Sequence, residues 1–429
     1  MERSTASVVC GLLLFCSMGT NVSLMAPFFP IKGEEKGLSK FEIGLVSSAF
    51  YMGNLIVGIF LMTFMKPRDM YFMYYAGPVL SSCSIISFGF LQYGPDGLTF
   101  TVFGFICMFL CGCGFSMNFS SALAILSLAK KEWEQRLGSL IEGFYGIALV
   151  IGPPLGSLLY RIDGYSFPFL CSGILEIILA IITKIVIVTK PIEDDQQPIS
   201  VMFFMKYFAK PYIALVMISI TLSSTMFGII DTIMSPHLKH DFHISERDIG
   251  FVFLGFGSMY AVSAATFGFL LERGHGGRIF VICTFALALS ILLLFLSTKI
   301  DFLNKIPVFI ICLGLIGINV AGAFVPGYLL VEKLITEYGI GDTNEAKMFT
   351  AFAIIMTYGL GGILGPIVIG GVIYGVLGFQ YTILTQFFIL CFGILCVIPL
   401  VLRKGLLEII LLDQNKTIEA GENESLLKS

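Results

Sequence analysis

Charge is the scarcest ingredient of this sequence. Asp, Glu, Lys and Arg make up 13% of its 429 residues, about half of the roughly 25% usual in soluble domains. The net charge of −3 leaves no basic surface of the kind that binds nucleic acid, and no such partner is expected. Histidine is rarer still, with four residues. No grouping of His, Cys and acid along the chain offers a catalytic geometry or a metal site, so neither an enzyme nor a bound cofactor is expected. Loop cysteines are lacking too: all 11 cysteines fall inside apolar segments, with Cys107, Cys111 and Cys113 in one of them. That placement argues against structural disulfides and leaves the redox compartment open. No cleavable leader is expected either. The first apolar run, about 8–30, is too long for the hydrophobic part of a signal peptide and has no convincing cleavage site, so it reads as a membrane span.

What the chain does contain is hydrocarbon. It is 56% hydrophobic with a mean hydropathy of +0.91, and apolar runs long enough to cross a bilayer recur along its length. Hydropathy places twelve spans. In the first half they fall near 8–30, 43–65, 71–92, 99–128, 138–160 and 166–189. In the second they fall near 211–235, 249–271, 278–298, 307–332, 348–375 and 380–402. The expected organisation is an N-terminal six-helix half (1–189), a polar linker (190–210) containing Glu193-Asp194-Asp195-Gln196-Gln197-Pro198, a C-terminal six-helix half (211–402) and a tail (403–429). The fold class is an all-α membrane protein with two pseudo-symmetric halves. Of the 26 Lys and Arg residues, 18 fall on one set of loops, span ends and termini and 8 on the other. By the positive-inside rule both termini are cytosolic.

The chain repeats itself. Near its first third it reads Ile151-Gly152-Pro153-Pro154-Leu155-Gly156, then Tyr160 and Gly164-Tyr165. Later it reads Leu364-Gly365-Pro366, Gly370-Gly371-Val372-Ile373-Tyr374 and Gly378-Phe379. The Gly-Pro pairs stand 213 residues apart, from Gly152 to Gly365, and the tyrosines 214, from Tyr160 to Tyr374. A second echo links Leu38-Ser39-Lys40-Phe41-Glu42-Ile43-Gly44 to Ile244-Ser245-Glu246-Arg247-Asp248-Ile249-Gly250, at 206 residues from Ser39 to Ser245. Two membrane halves of like order are the mark of a parallel-repeat transporter, with substrate between the halves. The Gly-Pro segments have a packing logic: Ala148, Gly152 and Gly156 let span 5 approach a neighbour closely, and Pro153 and Pro154 bend it. Gly361, Gly365, Pro366, Gly370 and Gly371 do the same in span 11.

Polar groups in hydrocarbon should face the protein interior or a wet cavity. Asn21, Asn54, Asn118 and Asn319 lie mid-span in spans 1, 2, 4 and 10, and span 7 carries Ser219, Thr221, Ser223, Ser224, Thr225 and Asp231. Spans 1, 4, 7 and 10 are therefore expected to line a central cavity, with Asn21, Asn118, Asn319, Ser223, Ser224 and Glu332 as candidate lining residues. Asp231 is the leading candidate for a substrate or proton site. Burial favours the protonated carboxyl and a nearby cation the ionised one, so binding of either can expel the other. Glu142, one to two turns into span 5, is the second candidate, as a proton site or inner gate, against an interfacial charge. Glu332 beside Lys333 ends span 10 and reads as an interfacial charge slightly ahead of a substrate contact. Glu176 in span 6 is expected as a neutral or water-contacted acid packed on its own half, and Gln386 in span 12 is a further exception to the spacing.

Smaller signals remain. The loop Gly268 to Arg278 resembles a Gly-x-x-x-Asp/Glu-Arg-x-Gly-x-Arg/Lys signature with one extra residue, in which Glu272 and Arg273 latch one conformation; the matching first-half loop lacks the acid. His237, His240 and His243 follow span 7 and are expected in a solvated loop. Glu422, Leu426 and Leu427 form an acidic dileucine pattern that a sorting adaptor would read. Asn21-Val22-Ser23 and Asn118-Phe119-Ser120 match the glycosylation pattern but sit inside spans.

These motifs carry a resemblance. The chain resembles the major facilitator superfamily over nearly its whole length, and within it the vesicular amine transporters, particularly their polyamine branch. The match rests on Ala26-Pro27-Phe28-Phe29-Pro30, on Glu142 through Gly152-Pro153-Pro154 to Tyr160, on Phe227-Gly228-Ile229-Ile230-Asp231 and on Gly250-Phe251-Val252-Phe253-Leu254-Gly255. The resemblance implies a monomeric, proton-coupled antiporter that loads organic cations into acidic vesicles, with Asp231 and Glu142 as its acids. Two departures stand out. Span 1 offers Asn21 where monoamine relatives carry an aspartate, and Leu110-Cys111-Gly112-Cys113-Gly114 lacks the superfamily's span 4 arginine. The expected function is exchange of a small organic cation for protons by alternating access in a vesicular or endolysosomal membrane, with the plasma membrane as the alternative location. The rival functions are movement of a neutral solute and a sensor that no longer transports.

Overall fold

In lipid, a backbone segment must satisfy its N–H and C=O groups internally, and a run of apolar residues does so as a helix. The protein, described here from a computed structural model covering residues 3–64, 69–129, 134–187, 206–272, 276–300, 302–338 and 344–402, follows that rule throughout. Spans 1 to 6 are Arg3–Met25, Lys40–Phe64, Met70–Phe90, Leu98–Ala129, Glu134–Asp163 and Ser166–Val186. Span 7 is Pro211–His240, a helix (Pro211–Ile229) that widens to π geometry at Ile230–Met234 and tightens again at Ser235–His240. Span 8 combines Glu246–Val252 and Leu254–Glu272, and spans 9 and 10 are Gly276–Lys299 and Ile306–Glu337. Span 11 starts at Asn344–Leu364 and runs through a second π segment, Gly365–Ile373.

Eleven helices among the described residues are long and apolar enough to cross a membrane, and the last, Phe352–Pro399, holds 48 residues. At ~1.5 Å per residue it would reach roughly 70 Å, more than twice the ~30 Å hydrocarbon core. It does not run straight. Gly378, at φ 71°, breaks it into spans 11 and 12. The crossings among the described residues therefore number twelve. Gly164, also at φ 71°, makes the same break between spans 5 and 6, 214 residues earlier. Residues 190–205 of the linker and 403–429 of the tail, with Glu422, Leu426 and Leu427, lie outside the described residues.

The second sequence echo also has a backbone meaning. Gly37 (φ 77°) and His243 (φ 53°) both take left-handed conformations just before a span. Each is followed by a serine that starts the helix. Ser39 and Glu42 form a reciprocal capping box, with Ser39 N–H donating to Glu42 Oε2 at 2.7 Å and Glu42 N–H to Ser39 Oγ at 3.3 Å. At the equivalent place Ser245 Oγ donates to Asp248 Oδ2 at 2.7 Å.

Each half has its own core, one gathered around Phe28, Phe50, Phe88 and Phe115 and the other around Phe227, Phe280, Phe309 and Phe349. Close backbone approach, rather than exclusion from water, holds such bundles together in lipid. The two echoes turn out to be one interface seen twice. A Cβ at Gly44 in span 2 would run into the carbonyl oxygen of Pro366 in span 11, and a Cβ at Gly250 in span 8 into that of Pro153 in span 5. The helix that each half starts at Ser39 or Ser245 thus packs against the other half's Gly-Pro helix. Within its own half, span 5 lies on span 1 where Gly152 meets Ser23 and Gly156 meets Phe28, and span 11 lies on span 7 where Gly365 meets Thr225 and Gly370 meets Thr232.

One end of the bundle is closed. A short helix, Phe29–Glu35, caps it, and polar contacts join the halves there. Glu35 pairs with Lys239 at 3.2 Å, Glu34 with His240 at 2.9 Å and Arg161 with Asp248, while Tyr160 O–H donates to Glu246 at 2.5 Å. Ser235 Oγ donates to the Ala26 carbonyl at 2.7 Å. Of the histidines expected in a solvated loop, His243 stands exposed in the loop and His240 is exposed at the end of the helix, but His237 does not meet the expectation. His237 lies in the last helical turns of span 7, buried, with its ring stacked on Phe379 at 3.5 Å between centroids and Nδ1 2.7 Å from Asp241. Span 7 continues past Ser235-Pro236 because the backbone keeps right-handed helical geometry through Met234 and Ser235, directly after the π segment.

Candidate functional site

Where the halves meet, beneath the capped end, a cavity of ≈ 30 Å³ surrounds Asp231. That is room for a water molecule, so the site is closed in this conformation. Asp231 sits in the π segment of span 7, a local widening that often marks functional positions. Its side chain is 8% exposed. Tyr51 of span 2 donates its O–H to Asp231 Oδ2 at 2.9 Å. The carboxylate comes from one half and its phenol from the other, so this bond bridges the seam. Among the described residues no Lys, Arg or His pairs with Asp231.

Aromatic rings complete the wall. Tyr358 of span 11 packs edge-on to Tyr51 at 5.4 Å, to Tyr145 of span 5 at 6.2 Å and to Phe227 of span 7 at 5.5 Å, and its hydroxyl bonds that of Tyr145. Phe227 in turn meets Phe256 at 5.9 Å. Span 1 adds Val22, Ser23 and Ala26. An acid with no cation beside it, ringed by aromatic faces, suits a positively charged guest through charge pairing and cation–π attraction. Among the described residues no three His, Cys, Asp or Glu side chains gather as metal ligands.

The cavity is not where the span count put it. Its walls come from spans 1, 2, 5, 7, 8 and 11, with none from spans 4 and 10. With the capped end shut, the glycine-lined spans 2, 5, 8 and 11 converge on the centre and take over the lining. The asparagines correct the expectation in the same way. Asn21 donates to Glu176 of span 6 at 2.5 Å and accepts from Ser172 at 2.6 Å, facing into its own half. Asn118 donates to the Tyr74 carbonyl of span 3 at 3.0 Å, and Asn319 to Ser290 of span 9 at 3.0 Å. Ser223 and Ser224 bond backbone carbonyls, Ser223 that of Ser219 and Ser224 that of Thr357 in span 11. Asn21, Asn118, Asn319 and Ser224 tie helices together and Ser223 bonds within its own helix; none of the five lines the cavity, because a hydroxyl or amide in a span is satisfied as well by a neighbour as by water. Glu332 is half-buried in span 10 and is not among the lining residues.

Gly152, Pro153, Gly156, Gly365, Pro366 and Gly370 all stand at helix contacts, and Pro153 also borders the cavity. Glu142 and Glu272 lie in the helices of spans 5 and 8, but their side chains, and Arg273 entirely, are outside the described residues. The tyrosines were the residues missed. Their signal was present, a hydroxyl mid-span at Tyr51, Tyr145 and Tyr358, but it is diluted among 16 Tyr and 41 Phe.

Two six-helix bundles closing around a shared carboxylate define a membrane transporter architecture. A family model of the Major Facilitator Superfamily matches residues 11–217 and again 216–408, and the chain belongs to that superfamily. It is similar to the MFS-type transporter SLC18B1 of Homo sapiens, at 26% identity over 85% of this chain and 79% of that protein. The vesicular acetylcholine transporter of Drosophila melanogaster is 24% identical over 72% of this chain and 54% of its own length. The fold is that of the nucleoside transporter NupG (TM-score 0.70, 15% identity, 94% of this chain and 100% of that one). A bacterial homolog of human lysosomal Spinster superposes as well (TM-score 0.71, 12% identity, 96% and 98%). The protein is thus a multi-pass membrane transporter related to the SLC18 vesicular transporters.

Proposed function

We propose that this transporter exchanges a small organic cation of the polyamine or monoamine kind for protons by alternating access. The observation that carries the reading is the Asp231 carboxylate in its tyrosine and phenylalanine cage at the seam, with no cation beside it among the described residues. A guest amine would displace the Tyr51 hydroxyl from Asp231 and pull both halves onto itself. Such a bond is worth ~1 kcal/mol in a membrane bundle, weak enough for a guest to replace. The names of the similar proteins, one an acetylcholine transporter, point to the same class of guest.

In this reading 1–189 and 211–402 rock about the Gly-Pro seam, Glu142 serves as the second carboxylate, and Glu272 and Arg273 latch the far end. The linker, the tail and both termini are cytosolic, the capped end faces the lumen of an acidic vesicle, and Glu422, Leu426 and Leu427 supply the sorting signal. The test is uptake into proteoliposomes under a pH gradient, comparing polyamines, monoamines and neutral sugars. Uptake of a cation by wild type, lost in Asp231→Asn, supports the reading; uptake of neutral sugars alone overturns it.

A further inference from the structure

A second acid stands apart from the cavity. Glu176 of span 6 is 0% exposed. Its Oε2 accepts from Asn21 Nδ2 at 2.5 Å and from Ser81 Oγ of span 3 at 3.3 Å. Its Oε1 is buried and has no hydrogen-bond partner. Ser172, one turn before it, holds the other end of the Asn21 amide at 2.6 Å. The remaining titratable group facing the cluster is the thiol of Cys111 in span 4, 3.5 Å from Ser81. Among the described residues no Lys, Arg or His pairs with Glu176. Two neutral donors on one oxygen do not compensate a full charge away from water. These surroundings favour the carboxylic acid over the carboxylate, with the unpartnered Oε1 the oxygen left free to hold the proton.

We propose that Glu176 is a proton-binding site of the transport cycle, coupled to the cavity through span 1. Span 1 has two working faces. Val22, Ser23 and Ala26 line the cavity, while Asn21 lies on the opposite face and grips Glu176. Ser23 also donates to the Ala148 carbonyl of span 5 at 2.9 Å, beside Gly152. A rotation of span 1 that turns its Val22, Ser23 and Ala26 face toward a guest withdraws the Asn21 amide from the acid. Water that follows takes the proton from Oε1 and leaves a carboxylate, so one proton departs as one cation enters. The separation assigns different tasks to the two acids: Asp231 meets the cation, Glu176 carries the proton.

The coupling rests on the cation reading above; the protonation of Glu176 does not. The first measurement is therefore the infrared carbonyl stretch of protonated carboxylic acids in wild-type protein in lipid, with isotope-labelled glutamate. A buried-acid band that shifts with the label and is absent in Glu176→Gln is expected, and no such band overturns the site whether or not cations bind. The second is proton release, read with a pH indicator, when spermidine is added to purified protein. Wild type should release protons, with spermidine affinity rising about tenfold per pH unit where one proton is exchanged. Glu176→Gln, which keeps both hydrogen bonds, should bind spermidine with a flat pH profile and release none. Release from Glu176→Gln equal to wild type overturns the coupling. Loss of spermidine binding in Asp231→Asn alongside an unchanged infrared band locates the cation and proton sites separately.

Discussion

The two halves share a scaffold and differ in where they keep their charge. Both tie their first helix to their sixth with a buried polar staple. In the first half Ser172 of span 6 donates to Asn21 of span 1 at 2.6 Å; in the second, Gln386 of span 12 donates to Thr225 of span 7 at 2.8 Å. Ser172 and Gln386 stand 214 residues apart, the spacing of the Tyr160–Tyr374 repeat. Both also link their third and fourth helices, Ser81 with Cys111 and Ser290 with Asn319. Only the first half adds an acid to its staple, Glu176. Among the described residues the acid that lines the cavity, Asp231, comes from the second half, and Leu24-Met25-Ala26-Pro27 at the end of span 1 offers none. Duplication supplied the hinges and staples twice; the ionisable groups were placed once each, on opposite halves. Asp231 meets the motion of one half against the other directly, through Tyr51, whereas Glu176, held by Asn21 and Ser81 of its own half, meets it only through span 1.

The largest expected effect tests the asymmetry itself. Asp231→Asn removes the acid that, among the described residues, stands alone in the cavity wall, and leaves the scaffold intact. Cation uptake should fall on the order of 100-fold, as expected when a buried charge partner worth roughly 2–5 kcal/mol is removed, with protein yield and melting temperature unchanged. Retained uptake would mean that the second half's acid is structural, like the Gln386 amide.

The next test probes the symmetry. Gly44→Ala and Gly250→Ala each push a methyl into a proline carbonyl of the other half. Each should resist closure of the capped end by ~1–3 kcal/mol, the usual penalty for overpacking. Reactivity of a cysteine introduced at Glu35 toward a water-soluble thiol reagent should rise to a similar extent in both variants. A response to one glycine alone would break the equivalence of the two interfaces.

That equivalence was readable from the chain. The Gly-Pro repeat and the Ser39–Ser245 echo each marked a recurring element, and Ser-x-x-Glu before an apolar run announces a helix start. That the two motifs touch each other across the seam was not readable, because nothing in either motif names its partner. The facing of Asn21, Asn118 and Asn319 was not readable either. A polar residue in a span must avoid lipid, but a cavity and a neighbouring helix satisfy that demand equally. Asp231 stood out because aspartate is rare in a span. Tyr51, Tyr145 and Tyr358 did not, because aromatic residues are common in every span of this chain.

A smaller effect sharpens the seam. Tyr51→Phe keeps the ring in the cage and deletes the hydroxyl that holds Asp231. The closed conformation loses ~1 kcal/mol, and Asp231 is freed for a guest. Cation affinity should rise about fivefold while the closed state becomes less populated, which competition binding and cysteine accessibility read separately. Weaker binding would mean that the phenol contacts the guest directly.

The smallest effect lies at the capped end, at Glu34. Burial by itself would raise this carboxyl, but hydrogen bonds and charge from Lys40 and His240 outweigh it and hold Glu34 below its ordinary value of 4.5. A carboxyl lowered in the closed state favours closure fully above that ordinary value, and the contribution disappears as pH falls through the lowered one. The Glu34 contact should therefore persist in a mildly acidic lumen and fail only under stronger acid. Glu34→Gln should ease opening by less than ~1 kcal/mol, as for a partly exposed ion pair. The difference between Glu34→Gln and wild type in cysteine accessibility at the capped end should stay constant from neutral pH down to the ordinary carboxylate range, then vanish below it. A difference that vanishes nearer neutral pH would shift the control of this end from Glu34 to a group that titrates there.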